Sequence, residues 1–370
     1  MRIVLSILMG IHGIIHLFGF LKAFGISDFD AISQPVSKTY GIIWLVGFIL
    51  FTSSAILFLS QYDYWWVIGI LSIFVSQLLI ISYWNDAKFG TILNLVILIS
   101  TIITYSTFSF NKNIDAETAQ MFIDSKTSQK SIVSEQMIVD LPGVVQKWLL
   151  KSGMLGKEPI QSVFLEQDIQ MLMKPEQKEW SSAKAKQYFT IEPPAFNWSV
   201  SLKMNPGLNV VGRDKFERGK GEMTIKLFSL IPVVNAKNNE KINQATLQRY
   251  LAEIVWFPSA ALSSYITWEA IDDHSAKATM TYKRTKGSGI FYFDENWNFK
   301  KFVTMRYADV EENSKPKLWT VTATKNEIRN GINIPVELKA NWKLENDDWT
   351  WLKLKIKNIE YNLEIMPVNI

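Results

Sequence analysis

The chain has no cysteine among its 370 residues, which excludes disulfides, thiolate metal sites and thiol nucleophiles. Histidine is confined to His12, His16 and His274. There is no His-Glu-x-x-His pair and no Gly-x-Ser-x-Gly elbow, so zinc-protease and standard serine-hydrolase chemistry are disfavoured, and an enzyme here would have to work with carboxylates. The charge is also sparse in one respect: the net +4 is small and lysines alternate with acids, so no nucleic-acid surface is indicated. No small-residue cleavage site follows the first apolar run, which is therefore expected to be retained as a helix rather than removed as a signal peptide.

What is present is unevenly distributed. Hydrophobic residues make up 48% of the chain, yet between Met1 and Phe110 charges are confined to short connections, whereas from Asn111 onward Lys, Arg, Asp and Glu recur every few positions. Four runs, Ile3 to Phe24, Tyr40 to Ser60, Tyr64 to Trp84 and Gly90 to Phe110, are each long enough to cross roughly 30 Å of hydrocarbon as a helix. Trp65, Trp66, Tyr83 and Trp84 at their ends suit the headgroup layer. The expected layout is a four-helix transmembrane domain over 1–110, a polar linker over 111–139 and a β-rich soluble domain over 140–370. Lys22, Lys38 and Lys88 fall in the first and third connections, opposed by Arg2 and Lys112. By the positive-inside tendency this places the termini and the soluble domain outside the cytoplasm, with the bundle in a bacterial inner membrane.

Two features of the membrane half carry chemistry. His12 and His16 are four residues apart and share one helix face, where they are candidates for a metal, a proton or a shared ligand, against the alternative of hydrogen bonds within a small bundle. Asp86 and Lys88 are expected to pair or snorkel at the interface, and Asn94 to make a bundle contact.

Past the linker, Pro142 opens a short helix whose apolar face is Val144, Val145, Trp148 and Leu149, ended by Gly153. Alternating runs then predict about ten antiparallel strands: Ser162 to Met173, Gln187 to Ile191, Asn197 to Met204, Glu222 to Phe228, Lys277 to Lys283, Gly289 to Phe293, Lys300 to Arg306, Trp319 to Thr324, Ile334 to Trp342 and Trp351 to Lys357. Between them, Asn243 to Ser263 has helical spacing and is broken near Pro258. Many strands, one helix and many large aromatics predict an α+β domain in which a curved antiparallel sheet or half-barrel surrounds a helix.

The succession Leu141-Pro142, Tyr188-Phe189, Pro193-Pro194, Phe196-Asn197-Trp198, Gly212-Arg213-Asp214, Gly219-Lys220-Gly221 and Arg249-Tyr250-Leu251-Ala252-Glu253 resembles an uncharacterised bacterial family of the DUF6544 type. Trp256-Phe257-Pro258, Trp268-Glu269, Arg306-Tyr307, Ile334-Pro335 and Glu360-Tyr361-Asn362 continue the likeness, which covers Leu141 to Asn362. The expected fold resembles the lipoprotein-localisation factors, which implies an apolar concave face suited to acyl chains. The first 110 residues resemble the small four-helix membrane modules of the DoxX type, a likeness that supplies no site.

The sequence identifies no reaction. The reading it favours is a membrane-anchored binding module for a lipid or other apolar molecule, with Arg249, Glu253, Trp256, Trp198 and Trp268 as ligand-binding residues and Arg249 facing an anionic headgroup. A carboxylate-dependent enzyme using Asp214, Glu253 and Glu269 on a small or envelope-derived substrate is the alternative, and a protein-interaction scaffold is a third. Arg249 and Glu253 also fit an ordinary i, i+4 ion pair. No cofactor is implied. The expected partners are membrane lipids or an apolar small molecule, and nucleic acid is not among them.

Overall fold

The structure is a computed structural model that describes residues 2–27, 31–125, 131–203, 209–345 and 347–363. The expected strand end at Met204, part of the expected linker (126–130) and the end of the expected soluble domain (364–370) lie outside the described residues. The chain divides into two compact units: Met1–Asn111 with Phe228–Leu230, and Lys112–Leu227 with Ile231–Ile370.

The first unit is built from α1 (Arg2–Ala23), α2 (Lys38–Leu59), α3 (Trp65–Ser82), the single turn α4 (Trp84–Ala87) and the part of α5 (Gly90–Asp124) up to Asn111. The four long helices are each long and apolar enough to cross a membrane. Their apolar side chains face outward, as at Ile7, Ile11, Ile14, Phe74 and Ile81. The polar ones face inward, as at His12, His16, Ser72, Ser76, Asn94 and Thr101. Small residues permit this packing: a Cβ on Gly47 would come within 2.7 Å of the His16 ring.

His12 and His16 do share a face, on which His12 Nε2 and His16 Nδ1 are hydrogen-bonded and His16 Nε2 is buried without a partner among the described residues. His12 Nε2 is 3.0 Å from Asn94 Oδ1 and 3.2 Å from Ser76 Oγ, and Asn94 donates to Ser76 and to Gln77. His16 Nδ1 lies 2.8 Å from the His12 carbonyl. Among the described residues no group of three His, Cys, Asp or Glu is placed to hold a metal. Asp86 does not pair with Lys88; it accepts from the Ser33 backbone N–H and hydroxyl, each at 2.9 Å, and these bonds hold its carboxyl below the ordinary range.

In the second unit α6 (Glu135–Ile138) and α7 (Gly143–Ser152) lead into six strands: β1 (Ser162–Met171), β2 (Ser181–Thr190), β3 (Ala195–Lys203), β4 (Asn209–Glu217), β5 (Lys220–Leu227) and β6 (Ile231–Ala236). Helix α8 (Glu240–Glu253) and two 3-10 turns (Ile254–Trp256 and Pro258–Leu262) follow. The remaining strands are β7 (Ile266–Asp272), β8 (Ser275–Tyr282), β9 (Thr285–Phe293), β10 (Phe299–Arg306), β11 (Lys317–Arg329), β12 (Ile332–Lys343) and β13 (Asp348–Tyr361). All thirteen form one antiparallel sheet in the order β6-β5-β4-β3-β2-β1-β13-β12-β11-β10-β9-β8-β7.

Two meanders are therefore joined at the centre, where Val163 of β1 pairs with Tyr361 of β13. The sheet curls, because α8 touches β4 and β5 near one end and β8, β9 and β10 near the other. A flat thirteen-stranded sheet cannot bring both flanks to one helix. Gly221 is part of how α8 fits: a Cβ there would collide with Thr246 and the Ile242 carbonyl. Asn239 caps the helix by accepting from Lys241 N at 2.8 Å. The helix stops earlier than its periodicity predicts. Pro258 has no N–H for the Ile254 carbonyl, which accepts instead from Phe257 N in a 3-10 bond of 2.9 Å.

Three strands escape the period-two reading: β4, β6 and β7. The stretch Gly212 to Gly221 is a hairpin whose turn is at Arg218 and Gly219 with φ of 52° and 79°, a pair of left-handed residues suited to a two-residue hairpin. Gly212 and Asp214 are consequently mid-strand residues of β4. The polar stretch expected as a linker begins as helix, since α5 continues to Asp124. Within the second unit that last part packs against the sheet: Thr118 Oγ1 accepts from Asn197 at 3.0 Å, and Met121 clusters with Phe164, Tyr188 and Ala195.

Candidate functional site

The inner face of the sheet follows the strand alternation. Phe196, Trp198, Val200 and Leu202 of β3 face inward, as do Gly212, Asp214 and Phe216 of β4, Gln167, Ile169 and Met171 of β1, and Trp319 and Val321 of β11. Around α8 this interior is solid: Phe189, Phe196, Phe216, Tyr250, Phe257, Phe291 and Phe302 are fully buried. Beyond the C-terminal end of α8 it is not filled. A cavity of about 180 Å³ lies there, with about 1230 Å³ of unfilled space when its mouth is counted. Its walls are mostly Ile, Leu, Val, Met, Ala and Trp from β1, β3, β4, β5, β11, β12 and β13, with Ala252, Val255 and Trp256 from the helical segment.

At the boundary between solid core and cavity sits a polar cluster. Arg249 Nη1 donates to Asp214 Oδ2 at 2.6 Å and Arg249 Nε to Glu253 Oε1 at 2.9 Å. The guanidinium lies 4.7 Å over the Trp198 ring and 5.1 Å over Phe196. Gln187 donates to the other Glu253 oxygen at 2.8 Å, Gln167 to Gln187 at 3.2 Å, and Trp198 Nε1 to Gln167 at 3.0 Å. Burial works against the charge on Arg249, but Glu253 and Asp214 more than offset it and its pKa is raised. Burial pushes the Glu253 carboxyl up despite Arg249 and Gln187.

Arg306 completes the cluster and is built differently. On β10 it follows Phe302 and Thr304 at spacing two, so its side chain enters the interior and lines the cavity. Its Nε donates to the Ala245 carbonyl at 2.9 Å, and its guanidinium lies 4.7 Å over Trp319 and 5.7 Å over Trp342. No carboxylate is within ion-pairing distance among the described residues, although only 8% of Arg306 is exposed. Burial, and then the Arg249 cation, pull it down to about 10, which leaves it protonated near neutrality.

The expected site residues separate into two groups. Trp198, Asp214, Arg249, Glu253 and Trp256 come together at the cavity. Trp256 is anchored by a 3.0 Å bond from Nε1 to the Pro335 carbonyl. Trp268 and Glu269 do not join them. Trp268 packs on Trp148 and Phe291 and donates to the Ala261 carbonyl. Glu269 is on the outer strand β7, 64% exposed and 3.6 Å from Lys277. Two carboxylates converge rather than three, and both are bound to one arginine. Sequence reasoning missed Arg306 and Gln167 as cavity residues. The signal was the strand phase, since a charged residue in step with Phe302 and Thr304 must enter the core.

A curved antiparallel sheet closed over a helix, with an apolar cavity at one end of it, names no reaction. The chain belongs to the family of unknown function DUF6920, whose profile matches residues 139–361. An uncharacterised family is as expected, but the profile that matches is not that of the expected DUF6544 type. Among curated proteins none matches the chain. Among solved structures the chain is similar to a LolA superfamily protein from Nitrosomonas europaea, at 12% identity and a TM-score of 0.33, over 60% of this chain and 94% of that one.

Proposed function

We propose that the chain is a membrane-anchored binding module for a lipid or other apolar molecule, held in a bacterial inner membrane by α1, α2, α3 and α5 with its sheet unit outside the cytoplasm. The observation that carries this reading is the cavity at the end of α8. Apolar side chains from seven strands leave space there, whereas a self-sufficient core packs to a density that excludes such gaps. Burial of an acyl chain supplies about 0.8 kcal/mol per methylene, so a modest length of chain offsets the cost of immobilising it. Four helices with outward apolar faces find their solvent in hydrocarbon.

The carboxylate-enzyme reading requires an acid free to act in the cavity, and Asp214 and Glu253 are both committed to Arg249. Scaffold binding through the concave face requires that face to be filled, and an apolar cavity argues against it.

The test is lipid analysis of the full chain extracted from membranes, comparing the native protein with Val321→Phe, which places a ring in the cavity at a half-buried wall position. The native protein is expected to retain roughly one more lipid or apolar molecule per chain than the filled variant. Identical lipid content, with both variants folded, rejects the reading. Protease protection in sealed vesicles tests the sidedness, which fails if the sheet unit is cut only after the cytoplasmic face is opened.

A further inference from the structure

We infer that the ligand of this cavity is an anionic amphiphile, an apolar chain ending in a carboxylate or phosphate, and that Arg306 and not Arg249 receives its charge; this rests on the apolar-ligand reading above. The two arginines look equivalent in the sequence and differ in their partners. Arg249 has a carboxylate on each side, at 2.6 and 2.9 Å, so its charge is already matched through Nη1 and Nε. Arg306 spends only Nε, on a backbone carbonyl. Its flat face rests against Trp319, which fixes the guanidinium plane without neutralising it.

Burying a cation without a counter-charge is costly unless something completes it. Asp214 and Glu253 act on Arg306 only at a distance, opposed by Arg249. Two further cavity residues, Trp319 and Trp351, keep indole N–H groups that donate to nothing among the described residues. Lys339 adds a cation at the exposed wall. The unmatched groups of the site are thus donors and cations. An anionic group with two oxygens can accept both free N–H edges of the Arg306 fork while its chain follows Leu338, Ala340, Leu352 and Leu354.

The experiment uses the full chain in phosphatidylcholine nanodiscs. Energy transfer from tryptophan to cis-parinaric acid reports binding, and the matching parinaryl alcohol gives the uncharged comparison. Palmitate and 1-palmitoyl lysophosphatidate, as competitors, separate a carboxylate from a phosphate, and inorganic phosphate tests the anion without a chain. The native protein is expected to prefer the acid over the alcohol by roughly tenfold to a hundredfold, the range for a charge-assisted hydrogen bond in a desolvated site. Arg306→Gln should abolish that preference, so that acid and alcohol bind alike, and Arg306→Lys should fall between because it keeps charge without the fork. Equal binding of acid and alcohol by the native protein overturns the inference and leaves the apolar-ligand reading intact, whether or not the variants fold. So does tight binding of inorganic phosphate alone. If neither probe binds, the apolar-ligand reading fails and this inference with it.

Discussion

Ile7, Ile14 and Phe74 point outward in the first unit, whereas Phe189, Phe216 and Ile334 point inward in the second. In the helical unit Phe74 is 62% exposed while His12, Ser76 and Asn94 are buried and hydrogen-bonded to one another. In the sheet unit Phe189, Phe216 and Phe302 are buried, and most charges lie at the surface. The exception is the cluster of Asp214, Arg249, Glu253 and Arg306. Most of the polar groups that each unit buries are paired, and Arg306 is a buried cation with no carboxylate beside it among the described residues. The lesson is that an unusual polar residue is informative only relative to the solvent its unit faces: a buried histidine is ordinary inside the bundle, and a buried unpaired arginine is not ordinary inside the sheet.

The largest expected effect that sharpens this contrast is Arg249→Met. Removing the shared cation leaves Asp214 and Glu253 buried together, and the sheet unit should lose about 3–5 kcal/mol, read as a fall in the denaturant midpoint. Retention of native stability would show that the cluster is solvated rather than buried. Trp256→Ala removes a fully buried ring bonded to the Pro335 carbonyl and should cost about 3–5 kcal/mol as well, with little change in the helical unit's circular dichroism. In the bundle, Asn94→Leu breaks the bonds to His12, Ser76 and Gln77, and a loss of about 1 kcal/mol is expected in bilayer or detergent unfolding. A loss as large as that in the sheet cluster would erase the distinction between the two interiors. Phe74→Ala at the outer face should be nearly neutral in a bilayer.

The smallest effect is a pH dependence. Backbone N–H groups of Asn296 and Asn298 and the Asn298 amide donate to Asp294 at 2.8–2.9 Å; burial raises its carboxyl, and these bonds more than offset that and leave it lowered. A carboxyl lowered in the folded state stabilises it above the unfolded value, roughly pH 3.9, and that contribution is lost as pH falls through the lower folded value. Melting curves of the native chain and Asp294→Asn should therefore converge only at the acid end.

The helices were legible because a run long and apolar enough to cross a membrane is a composition as much as a pattern. Nearly all ends fall within two residues of the apolar runs, and α5 alone overruns because Glu117 and Thr118 face the sheet. Ten strands were legible because one of their faces is buried. β4, β6 and β7 were not, for separate reasons. β4 carries Arg213-Asp214-Lys215 in its middle, β6 begins Ile231-Pro232, and β7 is exposed over most of its length. The order of pairing is absent from local pattern altogether, since β1 meets β13 across the whole length of the unit. Of the site, the Arg249–Glu253 pair follows from helical spacing. That Asp214 completes it depends on how β4 packs against α8, and that Glu269 lies beside Lys277 depends on the register of the β7–β8 hairpin at the sheet edge.

The absence of cysteine makes one measurement decisive for the inversion of the two units. A nitroxide is attached to a single cysteine at Phe74 or at Val321 in the full chain, reconstituted in phosphatidylcholine, and its collisions with oxygen and with a water-soluble nickel chelate are measured before and after palmitate is added. The expected result is a Phe74 label exposed to oxygen, shielded from nickel and indifferent to palmitate, and a Val321 label that loses mobility and nickel access when palmitate enters. A Phe74 label open to nickel, or a Val321 label that palmitate leaves unchanged, would contradict a bundle that faces hydrocarbon and a sheet that encloses it.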